Sequence, residues 1–148
     1  MPSTVEASEE FSIGGSTLER VWSHLTDLSN IGSCIPGCES VTPVDANTSI
    51  FKIKLKVGYL SRTFEIKARI KETVPPSRLS FFGEGNDAEV TGNLELLAKS
   101  DAVGVKYRIE IRPVSVTGKT AIAMIGKDLV KKQATEFALC VKSKLEAR

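Results

Sequence analysis

The chain is poor in the groups from which catalytic and metal sites are usually built. Its 148 residues include one histidine, one tryptophan and three cysteines, and aromatics make up only 6%. A single histidine leaves little scope for imidazole acid–base work or for a histidine-rich metal site. Three cysteines, an odd number, are not a fully paired disulfide set, and the simplest reading is free thiols in the cytoplasm. No apolar run approaches the roughly 18 residues that a membrane span needs. The opening MPSTVEASEE has neither a basic n-region nor an apolar h-region, so it does not read as a signal peptide. The net charge of +2 is too small to point to nucleic acid. No repeat, low-complexity tract or linker divides the chain, so residues 1–148 read as a single domain. That length buries roughly 68–70% of the extended-chain surface, enough for a core without staples.

What is present is patterning. Residues 5–13 predict a first strand, closed by Gly14-Gly15. Ser16 or Thr17 then caps a helix whose Leu18, Val21, Trp22 and Leu25 form one apolar stripe. Asp27 caps a second short helix carrying Leu28 and Ile31. Further on, Phe51, Ile53, Leu55 and Val57 alternate with Lys52, Lys54 and Lys56, and Phe64, Ile66, Ala68 and Ile70 alternate with charged residues. Gly58 to Ser61 predicts the hairpin between these two strands, and Pro75-Pro76 closes the second. Residues 78–84 form another strand. Ala88, Val90, Gly92, Leu94 and Leu96 alternate in the next, and Val103, Val105, Tyr107, Ile109 and Ile111 in the last. Period-two alternation this clean means an antiparallel sheet with one dry and one wet face.

After Pro113 the period changes. Ile122, Ile125, Leu129, Val130, Phe137, Cys140, Val141 and Leu145 predict one helix from about Thr117 to Leu145, about 42 Å long at 1.5 Å per residue. It has only the dry face of the sheet to cover. The fold class is therefore α+β: a curved seven-stranded antiparallel sheet around a long C-terminal helix, with two short helices after the first strand. A strongly bent sheet held off by one helix leaves room for a ligand cavity. Its expected lining is Phe51, Ile53, Leu55, Phe64, Ile66, Val90, Leu94, Val105 and Tyr107 from the sheet, with Ile122, Ile125, Leu129, Gln133 and Phe137 from the helix.

Several local patterns compete for chemical roles. Cys34-Ile35-Pro36-Gly37-Cys38 reads as a metal half-site, with His24 and Cys140 as further ligands, as a redox pair, or as a structural bend. Pro-Gly forces a turn and takes the spacing out of helical register, so the bend is preferred, reversing the chain into the next strand and forming a rim of the pocket mouth. His24 reads as a surface or helix-end histidine. Thr117-Gly118-Lys119-Thr120 lacks the earlier glycine of a phosphate loop, since Pro113 stands there, and Thr117 reads instead as a helix cap. Gly83, Gly85 and Gly92 suit a bulge and sheet curvature, or added cavity volume.

On the wet face, nine cations, among them Lys52, Lys54, Lys67, Arg69 and Lys106, face four glutamates. That is a solvated, edge-protected surface or a docking face for an acidic partner or anionic lipid heads. It lacks the interleaved aromatics that single-strand nucleic-acid binding uses. Among inward strand positions only Glu9 is a carboxylate; with Gln133 and Tyr107 it completes the polar groups expected near a cavity, which is little material for a shifted acid–base pair.

This topology resembles the helix-grip fold of the START-like or SRPBCC superfamily. More closely, Val21-Trp22-x-x-Leu25-x-Asp27, the Ile35-Pro36-Gly37 segment, Phe51-x-x-Lys54-x-Lys56, Pro75-Pro76-x-Arg78-Leu79 and the later Gly118, Gly126, Leu129 and Phe137 resemble the CoxG family, named for the G subunit of carbon monoxide dehydrogenase. The resemblance implies a cavity under the long helix for a lipid or quinone-like molecule, no resident cofactor, and service to a molybdenum carbon monoxide dehydrogenase-type oxidoreductase as partner. The same superfamily implies a cyclase or dehydratase as the alternative. Longer family members reach the membrane through a C-terminal extension. This sequence stops at Lys144-Leu145-Glu146-Ala147-Arg148, so at most peripheral membrane contact is expected.

Overall fold

A computed structural model describes residues 4–57 and 59–146. The alternating segments become strands whose period-two apolar residues share one face; Leu97, off that period, is exposed. β1 (Val5–Gly14) is followed by α1 (Leu18–Leu25), α2 (Leu28–Ser33), β2 (Cys38–Asp45), β3 (Thr48–Val57), β4 (Leu60–Val74), β5 (Arg78–Glu84), β6 (Ala88–Ala98), β7 (Ala102–Pro113) and α3 (Val116–Glu146). The strands form one antiparallel sheet in the order β1-β7-β6-β5-β4-β3-β2, so β1 closes against the last strand and the rest run as a meander. This is the expected α+β helix-grip architecture.

The caps act as their side chains require. The Thr17 hydroxyl accepts from the Arg20 amide at the start of α1, and Asp27 accepts from the Ser29 amide at the start of α2. At the start of α3 the cap is Ser115, whose Oγ accepts from the Gly118 amide at 2.8 Å; Thr117 lies inside the helix. The hairpin after β3 is tighter than expected, because Leu60 and Ser61 already pair with Val57 and Lys56; Gly58 itself lies outside the described residues. Ala147 and Arg148 also lie outside them.

The single straight C-terminal helix is corrected. Gly126 has φ 75° and ψ 167°, a backbone conformation that ends one helix and begins another. The part after Gly126 is fastened along β1 at three levels. The Thr135 hydroxyl donates to Glu9 Oε2 at 3.0 Å, Lys142 Nζ donates to the Ser12 carbonyl at 2.7 Å, and the Gly14 amide donates to Glu146 Oε2 at 2.6 Å. Here the interior is solid. Ile13, Val21, Val103, Val105 and Val141 are at most 1% exposed, and the small Ala134 and Ala138 let the helix approach the sheet closely. Among the described residues, no helix is long and apolar enough to cross a membrane.

Candidate ligand cavity

Where the fastened part of α3 ends, packing stops and a void begins. A cavity of about 230 Å³ lies between the middle of the sheet and α3. Phe51, Ile53 and Leu55 of β3, Phe64 and Ile66 of β4, and Val90 and Leu94 of β6 line it. So do Tyr107 of β7 and Ile122, Ile125, Gln133 and Phe137 of α3. Two expected members do not. Val105 is 1% exposed, with Phe11 and Leu96 as its neighbours in register, inside the solid part of the core. Leu129 is half-buried and off the lining, because the turn at Gly126 resets the helical phase and brings Val130 inward instead.

Sequence patterning missed other walls. Val5, Ile109 and Ile111 contribute from β1 and β7, and Leu25, Leu28 and Ile31 from the short helices. Phe81 of β5 leans across Gly92 of the neighbouring strand: a Cβ there would stand 2.1 Å from the ring. A Cβ on Gly83 would stand 2.6 Å from Ile66. These two glycines make room for large side chains that themselves line the void.

Ile35 and Pro36 of the bend also line the cavity. The bend is real: Gly37 has φ 86°, its carbonyl accepts from the Lys54 amide at 2.8 Å, and a Cβ on it would come within 2.2 Å of the Lys54 carbonyl oxygen. The reading of free thiols is corrected at two of the three cysteines. Cys34 is disulfide-bonded to Cys140, 106 residues away, with 5.4 Å between the Cα atoms. The bridge ties the end of α2 to α3 three residues after Phe137. It also excludes Cys34 with Cys38 as the redox pair, and removes the thiol argument for a reducing compartment. Cys38 is the free cysteine, half-buried, its thiol pKa pushed up by burial. His24 stands near the same junction, with Lys144 among the charges it feels. Among the described residues, no group of three or more His, Cys, Asp or Glu side chains is placed to hold a metal ion.

The electrostatics of the lining are sparse. Among the described residues, Tyr107 is its one titratable member; its hydroxyl donates to the Ala134 carbonyl and its ring meets Phe137 edge-on at 5.4 Å. Burial, with the nearby Glu9 charge second, drives its pKa well above the usual phenol range. Glu9 does not line the cavity, and its carboxylate is engaged by Thr135. A polar contact that the alternation did not suggest lies beside Phe64. Arg62 stacks 5.6 Å from that ring and forms an ion pair with Asp87 at 2.8 Å. Asp87 accepts in turn from the Ser115 hydroxyl, and its carbonyl accepts from the Val114 amide. Arg62 holds the Asp87 carboxyl below its usual range, and this cluster pins the first turn of α3 to the β5–β6 hairpin.

On the wet face the nine cations are partly matched. Arg108 pairs with Glu6 and Arg112 with Glu89, while Arg69 and Lys71 lie 6.0 and 5.7 Å from the Phe82 ring. Exposed pairs of this kind are screened by water and add little to stability.

A curved sheet with an apolar void beneath the C-terminal helix is the geometry that the resemblance implied; the break at Gly126 is an addition to it. The family model for CoxG, the G subunit of carbon monoxide dehydrogenase, matches residues 10–146. The chain belongs to that family. Solved structures share the fold. A conserved protein from Geobacillus kaustophilus is 20% identical, with a TM-score of 0.75 over 97% of this chain and 96% of its own. The Zhui aromatase/cyclase from Streptomyces sp. R1128 is 10% identical, with a TM-score of 0.70 over 98% and 95%. A START superfamily protein from Mycobacterium smegmatis is 9% identical, with a TM-score of 0.68 over 96% and 97%. At these identities the likeness is one of fold. No curated protein matches the chain.

Proposed function

We infer that this CoxG-family chain binds and carries an apolar small molecule in the cavity between its sheet and α3. The void itself is the observation that carries this reading. Protein interiors are close-packed, and an unfilled apolar space forfeits contacts along its walls. A ligand restores them: covering roughly 300 Å² of apolar ligand surface contributes about 7.5 kcal/mol before association costs, so carriage is micromolar at best. The family name supports service to a carbon monoxide dehydrogenase-type oxidoreductase, with a lipid or quinone-like cargo. Carriage is favoured over a cyclase or dehydratase because, among the described residues, the hydroxyl of the one titratable lining residue, Tyr107, is committed to a helix carbonyl.

Native mass spectrometry of the protein purified from its own host, followed by organic extraction, tests this. A co-purified apolar molecule supports it. Ile125→Trp, which places an indole in the cavity, should abolish uptake of that extract; undiminished binding by a folded variant sinks the assignment.

A further inference from the structure

Resting on the carriage reading, we propose that the Cys34–Cys140 disulfide is a redox latch on the cavity wall. Oxidised, it holds α2 and the bend against α3 and keeps the cargo in; opened by a dithiol reductant, it frees that wall and lets the cargo leave. On the flank toward β2 the sheet does not close the cavity. Among the described residues, none of β2 lines it; Leu28 and Ile31 of α2 and Ile35 and Pro36 of the bend do. This wall has little of its own to hold it. α2 is six residues long, far below the length at which a helix stands alone in water. Toward the sheet it packs on β2 and β3, and the bend is tied by the Lys54 amide, which donates to the Gly37 carbonyl. Toward α3 it is held by the bridge from Cys34, the C-cap of α2, and by Lys144 Nζ, which donates to the Ser33 hydroxyl at 2.7 Å. The Lys144 contact is exposed, so water replaces it readily, and the covalent bond is the hold that decides. It sits at the edge of the void: Cys140 follows the lining residue Phe137 by three positions.

Opening the bond loosens one side of this joint and not the other. α3 keeps its fastenings to β1 at Thr135, Lys142 and Glu146. α2 keeps the exposed Lys144 contact as its polar attachment to α3. The redox state therefore sets the mobility of one wall of the cavity while the grip of the long helix is unchanged. The bond is approached from one side, because Cys34 is 3% exposed whereas Cys140 is half-buried. A thiolate of the reductant attacks the Cys140 sulfur, the bond between the two cysteines breaks, and Cys34 leaves as a thiolate that takes up a proton. The second thiol of the reductant then attacks its own sulfur in the mixed disulfide and releases Cys140, which is protonated in turn. Two electrons and two protons have passed to the protein, and the reductant is left as its own disulfide.

The test compares three forms at about 25 °C: the oxidised chain, the chain reduced with dithiothreitol, and the Cys34→Ala/Cys140→Val variant, which refills the sulfur volume without the bond. Circular dichroism and Trp22 fluorescence report the fold. Hydrogen exchange read by mass spectrometry should quicken about tenfold or more over residues 28–37 in the two unbridged forms, with β6 and β7 unchanged. The probe for release is 1-naphthol, followed by its own fluorescence as the loaded protein is rapidly diluted; its dissociation should quicken about tenfold or more in the same two forms. Unbridged forms that both unfold at this temperature would show a staple and not a latch, and the proposal is overturned. It is overturned equally by exchange that quickens evenly along the chain, or by a release rate that is the same in all three forms; in that last case carriage stands. If the folded, oxidised chain binds no 1-naphthol, the carriage reading fails and the latch falls with it.

Discussion

Breaking the bridge between Cys34 and Cys140 should cost this protein more stability than almost any single side-chain change. The bond closes a loop of 106 residues, most of the chain. In the chain-entropy treatment, such a closure removes about 16 cal/mol/K from the unfolded ensemble, or about 4.7 kcal/mol at 25 °C. For a domain of this size each kcal/mol moves the midpoint by roughly 2–4 °C, so reduction should lower Tm on the order of 15 °C. The local loss adds to this, because the bridge joins α2 to the part of α3 that is otherwise fastened mainly along β1. Trp22, packed against the core from α1, is the single tryptophan and reports the unfolding by its fluorescence. The assay is thermal unfolding with and without a dithiol reductant, run beside a thiol titration in denaturant. One thiol per chain, that of Cys38, should react before reduction and three after it. The Cys34→Ala/Cys140→Ala double variant should match the reduced protein, and Cys38→Ser should behave as wild type. Three reactive thiols in carefully oxidised protein, or a Tm indifferent to the reductant, would refute the reasoning.

Three further outcomes follow from single positions. Gly126→Ala should destabilise by about 1–3 kcal/mol in urea unfolding, since φ 75° with ψ 167° is essentially reserved for glycine and no neighbour obstructs the added methyl. In an unbroken helix the same change would stabilise by about 1 kcal/mol, so the sign alone decides whether the break exists. Gly118→Ala sets a Cβ 1.9 Å from the Asp87 carbonyl oxygen, and should cost about 1–3 kcal/mol while loosening the first turn of α3; a neutral result in the same unfolding experiment would show that this turn is not held there. His24 has its pKa lowered from 6.5, first by burial and then by Lys144, with Arg20 adding to the fall and Asp27 opposing it. Its folded state therefore favours the neutral ring and takes up fewer protons than the unfolded chain, so its contribution to stability is lost as pH falls below about 6.5. His24→Gln should flatten the fall in Tm between about pH 7 and pH 5.5; an identical slope in both proteins would remove the histidine from the account.

Elements with one dry and one wet face were legible. β3, β4, β6 and β7 alternate because the sheet has water on one side only, and their boundaries follow. β2 hides from the same logic: it is an edge strand with Pro43 inside it, two register shifts against β3, and no alternation in its burial. The break at Gly126 was invisible because Ile122, Ile125 and Leu129 keep helical spacing straight through it; hydropathy carries no dihedral angle. The same break explains why Leu129 reads as an inward residue and Val130 takes that place. Ala134 and Ala138 matter by being small, and a search for large apolar side chains passes over them. Arg62 shares the parity of Phe64 but stays at the surface, and alternation alone does not show its pairing with Asp87 of the β5–β6 hairpin. The Cys34–Cys140 pair depends on which residues the fold brings together over 106 positions, which spacing does not encode.

The division of the interior into a solid end and a hollow one follows from how α3 is held. From Thr135 to Glu146 the helix has three fastenings to β1 on one flank and the disulfide to α2 on the other, with alanines that let it sink onto the sheet. Before Gly126 its polar attachment is at the first turn, through Ser115 and Asp87. Between these anchorages α3 spans the cavity, and even large side chains such as Phe51, Phe64, Phe81 and Phe137 line the space without filling it. An apolar void lowers stability, since its walls lack partners. The densely packed end and the long covalent loop supply stability that does not depend on filling the void. A bound molecule then adds to the stability of the fold without being needed for it, which is what a carrier that must also release its cargo requires. The consequence can be measured on the wild-type chain: 1-naphthol should raise Tm in proportion to the logarithm of its concentration once it exceeds Kd, and a Tm that stays constant across that range would show that nothing enters the space under α3.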